Sequence, residues 1–371
     1  MSAWSALPWQ SSLGRPIACA ALVALAWISC ASRVSGPAHA ESAPAAKSPA
    51  APTCATCHVG VASLYAHAPM RHAIESPGAD PVLDTHPKLT TTQGAYTYHV
   101  ETKDGQSTYS VTDGKDTLTL PIHWMFGQHS QTWVLEKDGN LYEGLVSYFP
   151  REQGLATTPG DGKLTPKTVT EAMGRKLTTW EVIQCFNCHA TNATAGAKLT
   201  LDKLTPGLGC ERCHIGSEQH MADAANDNFK TLPVSLKKMA AQDTAEFCGQ
   251  CHRTWSTVMR NKWKGPVDVR FQPYRLENSR CFIGNDKRIG CLACHDPHQQ
   301  VDHTVADYDS KCLACHAAAN LASVSPAAKT CPVAKANCSS CHMPKVELPG
   351  GHALFTDHQI RIVRPGDPYP N

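Results

Sequence analysis

Residues 291–298 read CLACHDPH. Cys291, Cys294 and His295 form the pattern C-x-x-C-H, whose spacing is that of covalent haem attachment. Two intervening residues let both sulfurs reach one porphyrin edge from a single short turn and form thioethers to its vinyl groups. The adjacent histidine is then held under the iron as its proximal ligand. His298, three residues further on, raises a question, because the fifth position of that iron is already filled.

The pattern occurs seven times in a chain of 371 residues. The copies are Cys54/Cys57/His58, Cys185/Cys188/His189, Cys210/Cys213/His214, Cys248/Cys251/His252, Cys291/Cys294/His295, Cys312/Cys315/His316 and Cys338/Cys341/His342. At this cysteine and histidine frequency chance supplies roughly 0.04 copies, so the expectation is seven covalently attached haem c groups. Zinc ribbons also pair C-x-x-C units, but they have no use for a histidine at every one. The remaining cysteines beyond the leader are Cys281 and Cys331; a disulfide between them is the default in an oxidising compartment, and two separate thiols are the alternative.

The N-terminus reads as a secretory leader. Ile17 to Ala31 is apolar, Arg15 precedes it, and Ala38-His39-Ala40 gives a cleavage site after Ala40. The run is shorter than the ~20 residues of a membrane span; a lipoprotein anchored at Cys30 is the other reading. Periplasmic or otherwise exported localisation follows. The leader carries Arg15 and Arg33 and no acid, which leaves 32 basic and 32 acidic residues. Seven haems, each with two propionates against one ferric porphyrin charge, would bring the holoprotein to about −7 oxidised and about −14 reduced. With no basic stripe and no reading motif, nucleic-acid binding has no support.

The expected organisation is a signal peptide (1–40), an Ala/Pro-rich linker (41–53), a first haem segment (54–90), a β-rich insert (91–160), a six-haem cytochrome domain (161–345) and a C-terminal tail with candidate ligands (346–371). In the insert, Tyr96, Tyr98 and Val100 alternate with polar residues, and Asp104-Gly105, Asp113-Gly114 and Lys137-Asp138-Gly139-Asn140 are turn signals. An alternative has these segments packing as loops over the haems. After Thr170 helix formers dominate and the motifs start 25, 38, 43, 21 and 26 residues apart. That leaves room for one or two helices per haem. The expected fold is therefore mainly α with irregular loops, organised around packed haems that supply most of the buried apolar surface, with a small antiparallel β insert between haem 1 and haem 2.

Distal ligands decide function, because a second histidine closes the iron and an open site binds small molecules. Eleven further histidines are available beyond the leader: His67, His72, His86, His99, His123, His129, His220, His298, His303, His352 and His358. On a helix His298 projects from the same face as His295 and cannot pass around its own haem. If it ligates, it ligates a neighbouring iron. His220, six residues past His214, is similarly placed, whereas His72, His129, His352 and His358 are freer to cap distant haems. Met70 is a further candidate whose ordinary role is packing.

The stretches CERCHIGSEQH (210–220), RFQPYRLENSRC (270–281), GCLACHDPH (290–298), CHMPK (341–345) and FTDHQIR (355–361) resemble the cytochrome c-554-type multihaem cytochromes. FGQHSQTW (126–133) and the following LYEGLVSYF resemble the insert after the first haem of such proteins. The family is related more loosely to the haem-packing module of hydroxylamine oxidoreductase and pentahaem nitrite reductase. The resemblance implies mostly bis-histidine haems in stacked and perpendicular pairs, used for periplasmic electron transfer. It also implies His72, His129, His220, His298 and His358 as distal ligands, with His352 next. No C-x-x-C-K variant is present, which argues against nitrite reductase activity.

The leading expectation is an exported electron-transfer cytochrome of the respiratory chain, serving redox partner proteins that include a membrane-bound quinol-oxidising complex. A second reading is a multihaem oxidoreductase of a small nitrogen or sulfur compound. It requires one open iron lined by donors such as His123, Arg151 or Arg175. A third is a subunit of an electron-conducting assembly, reached through the Pro-rich ends at 41–53 and 365–371.

Overall fold

The alternation along Tyr96-Thr97-Tyr98-His99-Val100 becomes an alternation of faces, with Tyr96, Tyr98 and Val100 buried and their neighbours half-exposed. The computed structural model describes residues 53–370 apart from 77, 129, 197, 302 and 318–329. The expected leader and nearly all of the linker lie outside the described residues, as does His129. Residues 51–371 belong to one unit.

Ten strands form the first part of that unit: β1 (Ile74–Glu75), β2 (Lys88–Gln93), β3 (Tyr96–Lys103), β4 (Gln106–Thr112), β5 (Thr117–Phe126), β6 (Thr132–Lys137), β7 (Asn140–Gly144), β8 (Val146–Phe149), β9 (Gly154–Thr157) and β10 (Gly174–Lys176). Seven of them lie side by side in the order β10-β7-β6-β5-β4-β3-β2, and β1 joins by pairing with β5. Every pairing in the sheet is antiparallel. Two hairpins turn on the dipeptides Asp104-Gly105 and Asp138-Gly139, whose four φ angles are 53°, 73°, 51° and 70°. A two-residue hairpin loop requires positive φ at both positions, and Asp-Gly supplies it at low steric cost. A register shift between Ile122 and Trp124 bends β5, which increases the local twist.

These strands overturn the expected fold class. The described residues are 34% helical and 24% strand, with a large curled antiparallel sheet, so the fold is not mainly α around haems. The sheet also outgrows the expected insert, since its pairing begins at Ile74 and ends at Lys176. The reading of these segments as loops fails with the ladder in place. The physical reason lies in the side chains. Tyr96, Tyr98, Tyr109, Val111, Ile122, Met125, Trp133 and Leu135 form a hydrophobic core of their own, closed by Val82 and Leu83, by Val146, Tyr148 and Leu155, and by Ala172 and Met173. A region with this much apolar surface to bury does not need a porphyrin as its core.

A second cluster joins this sheet to the rest of the chain. Ile74 and Val134 pack with Leu177, Val182, Phe186, Ala190 and Ala193, so the helix Thr179–His189 is seated on strand residues. Phe186 is fully buried between Trp124 and Phe126, edge-on to both at 5.2 and 5.3 Å between ring centres. Burying such a ring contributes about 2–3 kcal/mol. Thr178 caps the helix and Glu181 returns the bond in a capping box. Beyond Lys176 the described helices are at most 12 residues long, and none is long and apolar enough to cross a membrane.

Candidate haem-ligand sites

Each C-x-x-C-H copy closes one helical turn. The amide N–H groups of His58, His214 and His295 donate to the carbonyls of Cys54, Cys210 and Cys291, each at 2.9 Å. Positions i, i+3 and i+4 of a turn share one side, so both sulfurs and the imidazole face the same way. The copies alternate along the chain. The first, third, fifth and seventh are lone turns: Cys54–Cys57, Cys210–Arg212, Cys291–Cys294 and Cys338–His342. The second, fourth and sixth are the last turns of the longer helices Thr179–His189, Ala241–His252 and Val305–His316. Thiols of different copies also approach one another: Cys54 and Cys210, Cys188 and Cys251, Cys248 and Cys291, and Cys312 and Cys338 interact directly. No sequence spacing announced this arrangement.

The motif cysteines differ in exposure. Cys57, Cys294 and Cys341, the second cysteines of the first, fifth and seventh copies, are exposed, whereas the other motif cysteines are half-buried. Cys341 belongs to the last motif turn, Cys338–His342. Its Sγ meets the hydroxyl of its own neighbour, Ser340, at 3.8 Å, and no thiol approach of the kind seen at Cys338 involves it. All three belong to lone turns, but so does the half-buried Cys213. A porphyrin bonded to such a turn would itself cover these sulfurs.

Three proximal histidines face a second histidine. The ring centres of His58 and His220 are 6.3 Å apart, those of His214 and His298 6.0 Å, and those of His295 and His358 6.1 Å. Two imidazoles on opposite sides of one metal ion, each with a bond of about 2 Å, place their ring centres about 6 Å apart. The spacing therefore fits an iron between each pair, and it is too wide for direct ring contact.

The three second histidines share a further feature. His220 Nδ1 is hydrogen-bonded to the Thr231 carbonyl at 2.7 Å, His298 Nδ1 to Asp296 Oδ1 at 2.9 Å, and His358 Nδ1 to the Thr356 carbonyl at 3.0 Å. An acceptor at Nδ1 fixes the tautomer and leaves Nε2 as the metal-binding nitrogen. Among the proximal histidines, His189 Nδ1 donates to the Ala73 carbonyl at 2.7 Å and His342 Nδ1 to the Arg361 carbonyl at 2.9 Å. Burial pushes the imidazole pKa values of His189, His252 and His295 down, and that of His358 to about 4. Each is thereby held neutral, the form that binds a metal.

His358 is placed by a buried ion pair that sequence reasoning missed. Arg275 donates from Nε and Nη2 to the two Asp357 oxygens, both at 2.8 Å, with both side chains almost fully buried. Arg361 Nη1 adds a third contact to Asp357 at 2.5 Å, and Ser279 binds the His358 carbonyl and the Ile360 N–H. Burial pushes the Asp357 carboxyl up, but the Arg275 fork outweighs it and holds the group below its ordinary range. Asp268 meets Arg275 at 3.4 Å and receives the Tyr369 hydroxyl. Two stretches quoted above as separate motifs, RFQPYRLENSRC and FTDHQIR, are thus halves of one clamp. Nothing in the local spacing of either stretch pairs Arg275 with Asp357, which are 82 residues apart.

The other candidates are placed differently. His72 has both ring nitrogens engaged, Nδ1 by Glu75 at 2.5 Å and Nε2 by the Ala66 carbonyl at 2.7 Å. His352 bonds Glu152 through Nδ1 at 3.0 Å and packs on Phe149 at 4.8 Å. Met70 contributes its carbonyl to the Leu208 N–H at 3.0 Å. The donors expected at an open site are occupied. Arg175 pairs with Glu143, Glu181 and Asp161, Arg151 pairs with Glu347, and His123 lies against Trp124. Cys281 and Cys331 are not bridged. Cys281 is within reach of Cys312 and Cys315, and Cys331 Sγ accepts the Ala334 N–H.

The residues present fit a covalently held porphyrin. His252 is enclosed by protein on nearly all sides, and yet its side chain is open to solvent, as is a residue lining a hollow. Val59, Ile215, Trp255 and Val305, all beside motif turns, leave apolar surface exposed for a large planar group to cover.

Residues 161–215, which contain the second and third motifs, match the family described as cytochrome c554 and c-prime. No curated protein and no solved structure matches the chain. The family match supports a c-type cytochrome, and with it haem c as the cofactor and electron transfer as the activity.

Proposed function

We propose that the chain is an exported heptahaem cytochrome c that passes electrons through closely packed, mostly bis-histidine haems. The observation that carries the reading is the set of three imidazole pairs, His58/His220, His214/His298 and His295/His358, at the spacing of two ligands on one metal. Haem c supplies one-electron exchange when bound. The chain's own residues do the rest. Fourteen motif cysteines would anchor seven porphyrins, and seven histidines would take one axial position each. Paired histidines hold the opposite face against water and exogenous ligands. Backbone carbonyls at Ala73, Thr231, Thr356 and Arg361 keep the rings in one tautomer. Direct thiol approaches link the first copy to the third, the second to the fourth, the fourth to the fifth and the sixth to the seventh. Sites so arranged are short neighbours rather than isolated centres. Redox partner proteins, among them a quinol-oxidising membrane complex, would donate and accept.

The test is a mass and spectrum of the purified holoprotein. Seven haems per chain, all low-spin and unmoved by nitrite, hydroxylamine, NO or CO, is the expected result. A binding isotherm for any of these ligands would replace the carrier with the second reading, an oxidoreductase of a small nitrogen or sulfur compound. The observation favouring that reading is at His252. Arg253 and Arg270 lie within electrostatic reach of this ring and rest on Trp263 and Phe355 at 5.8 Å each, so guanidinium charge faces the fourth motif.

A further inference from the structure

We infer that Asp296 is a positioning residue that makes the haem held by His214 and His298 lower in potential than the haems held by the other two histidine pairs. The inference rests on the proposed ligand assignment and goes beyond it. Asp296 Oδ1 faces two donors of His298 at once, the backbone N–H at 3.0 Å and ring Nδ1 at 2.9 Å, while Oδ2 accepts Gln299 Nε2 at 2.9 Å. The carboxylate thus has two donors of His298 and one of Gln299 around it, and an ordinary aspartate is charged at neutral pH. The ring it holds lies 6.0 Å from that of His214, centre to centre, with 10° between planes.

The other two second histidines differ in one respect. His220 and His358 give their Nδ1 proton to neutral carbonyls of Thr231 and Thr356. A carboxylate draws that proton further from the ring and leaves negative charge on the imidazole. Negative charge on an axial ligand stabilises ferric iron over ferrous iron, which lowers the reduction potential. Asp296 and His298 are partly exposed, at 47% and 33% of their side chains, so solvent screens part of the effect without cancelling it. The local sequence explains why the carboxylate is there. In CHDPH, Pro297 cannot donate, and Asp296 closes over the freed backbone to cap the His298 N–H.

Asp296→Asn keeps the shape and an acceptor oxygen and removes only the charge. Potentiometric titration of the holoprotein should show one midpoint shifted to higher potential, the others in place and every haem still low-spin. Asp296→Glu should return that midpoint towards the wild-type value. Unmoved midpoints would overturn the inference, and so would a haem turned high-spin by Asp296→Asn, since the residue would then be needed for ligation itself. His298→Ala separates this result from the reading beneath it. If that variant has a high-spin haem and Asp296→Asn moves nothing, the Asp296 inference alone fails. If His298→Ala leaves the spin state unchanged, the ligand assignment fails and takes the inference with it.

Discussion

His298 and His214 stand opposite each other, their ring centres 6.0 Å apart and their planes 10° from parallel. The histidine that follows one motif by three residues thus stands opposite the proximal histidine of another. His220 repeats the relationship two copies earlier, since it follows His214 in sequence and faces His58. The third and fifth motif segments would therefore each supply ligands to two sites, tying those sites together through a few residues of chain. Sequence spacing alone set His298 apart from its own iron; the fold places it opposite His214.

Removing one of these rings should open one site and leave the covalent attachment intact. His220→Ala, His298→Ala and His358→Ala are each expected to retain seven haems by pyridine haemochrome assay and to convert one from low-spin to high-spin in the EPR spectrum. His352→Ala should leave the spin count unchanged, because its described ring contact is with Phe149 rather than with a motif histidine. A high-spin signal in His352→Ala would return that residue to the ligand set.

Breaking the Arg275–Asp357 clamp should cost about 3–5 kcal/mol, the range for removing one partner of a buried ion pair. Asp357→Asn is expected to lower the melting temperature of the holoprotein and to produce a fraction of high-spin haem, since His358 follows directly in the chain. Double substitution with Arg275→Met should recover part of the stability and none of the spin state. The pH dependence has a definite sign. Asp357 has a folded pKa below its unfolded value, so its contribution is fully present above the unfolded pKa of about 4 and is lost as the pH falls through the folded value. The wild type should therefore lose stability in acid below about pH 4 more steeply than Asp357→Asn.

Asp161 gives the opposite slope. Burial and the nearby Glu143 raise its pKa to about 6 against the pull of Arg175. An acid whose folded pKa is raised binds its proton more tightly in the folded state, so stability falls as the pH rises from about 4 to about 6. Asp161→Asn should remove that slope, so that between pH 4 and pH 7 it gains up to about 3 kcal/mol on the wild type. Thermal melts of both proteins at pH 4, 5, 6 and 7 read this directly; parallel curves for the two would contradict it.

The sequence made some of these relationships legible and hid others for physical reasons. The motif turns and the Asp-Gly hairpins are local: a spacing or a dipeptide fixes them, and both are where the residues place them. How deeply each motif sulfur sits is not local, and so Cys341 and Cys338 share one turn but differ in exposure. The extent of the sheet is not local either. Ile74 and Gly174 carry weak strand signals, and they become strands because β5 and β7 offer unpaired edges to them. The expected fold has porphyrins supply most of the buried apolar surface. In fact the aromatics are concentrated between Tyr96 and Tyr148, where they form a core without one. His220, His298 and His358 stood out as histidines near or beyond motifs, but Asp357 and Arg275 are 82 residues apart and only tertiary packing joins them.

One close backbone approach offers a last test of how the motif segments are held together. Gly207 has φ +71°, and a Cβ there would stand 1.7 Å from the Arg71 carbonyl oxygen. On either side, Leu208 N–H donates to Met70 and Arg71 Nη1 to Pro206 at 2.7 Å, so this is where the segment after the first motif meets the approach to the third. Gly207→Ala must push two backbones apart in addition to the left-handed cost of about 1–2 kcal/mol. Gly94 has φ +60° and nothing within 4 Å of the same position, so Gly94→Ala carries the backbone cost alone. The expected result is a clearly larger drop in melting temperature for Gly207→Ala, accompanied by disturbance of the His58/His220 and His214/His298 sites in the EPR spectrum. Equal melting temperatures for the two variants would mean that the contact yields freely and does not hold the first and third motifs in place.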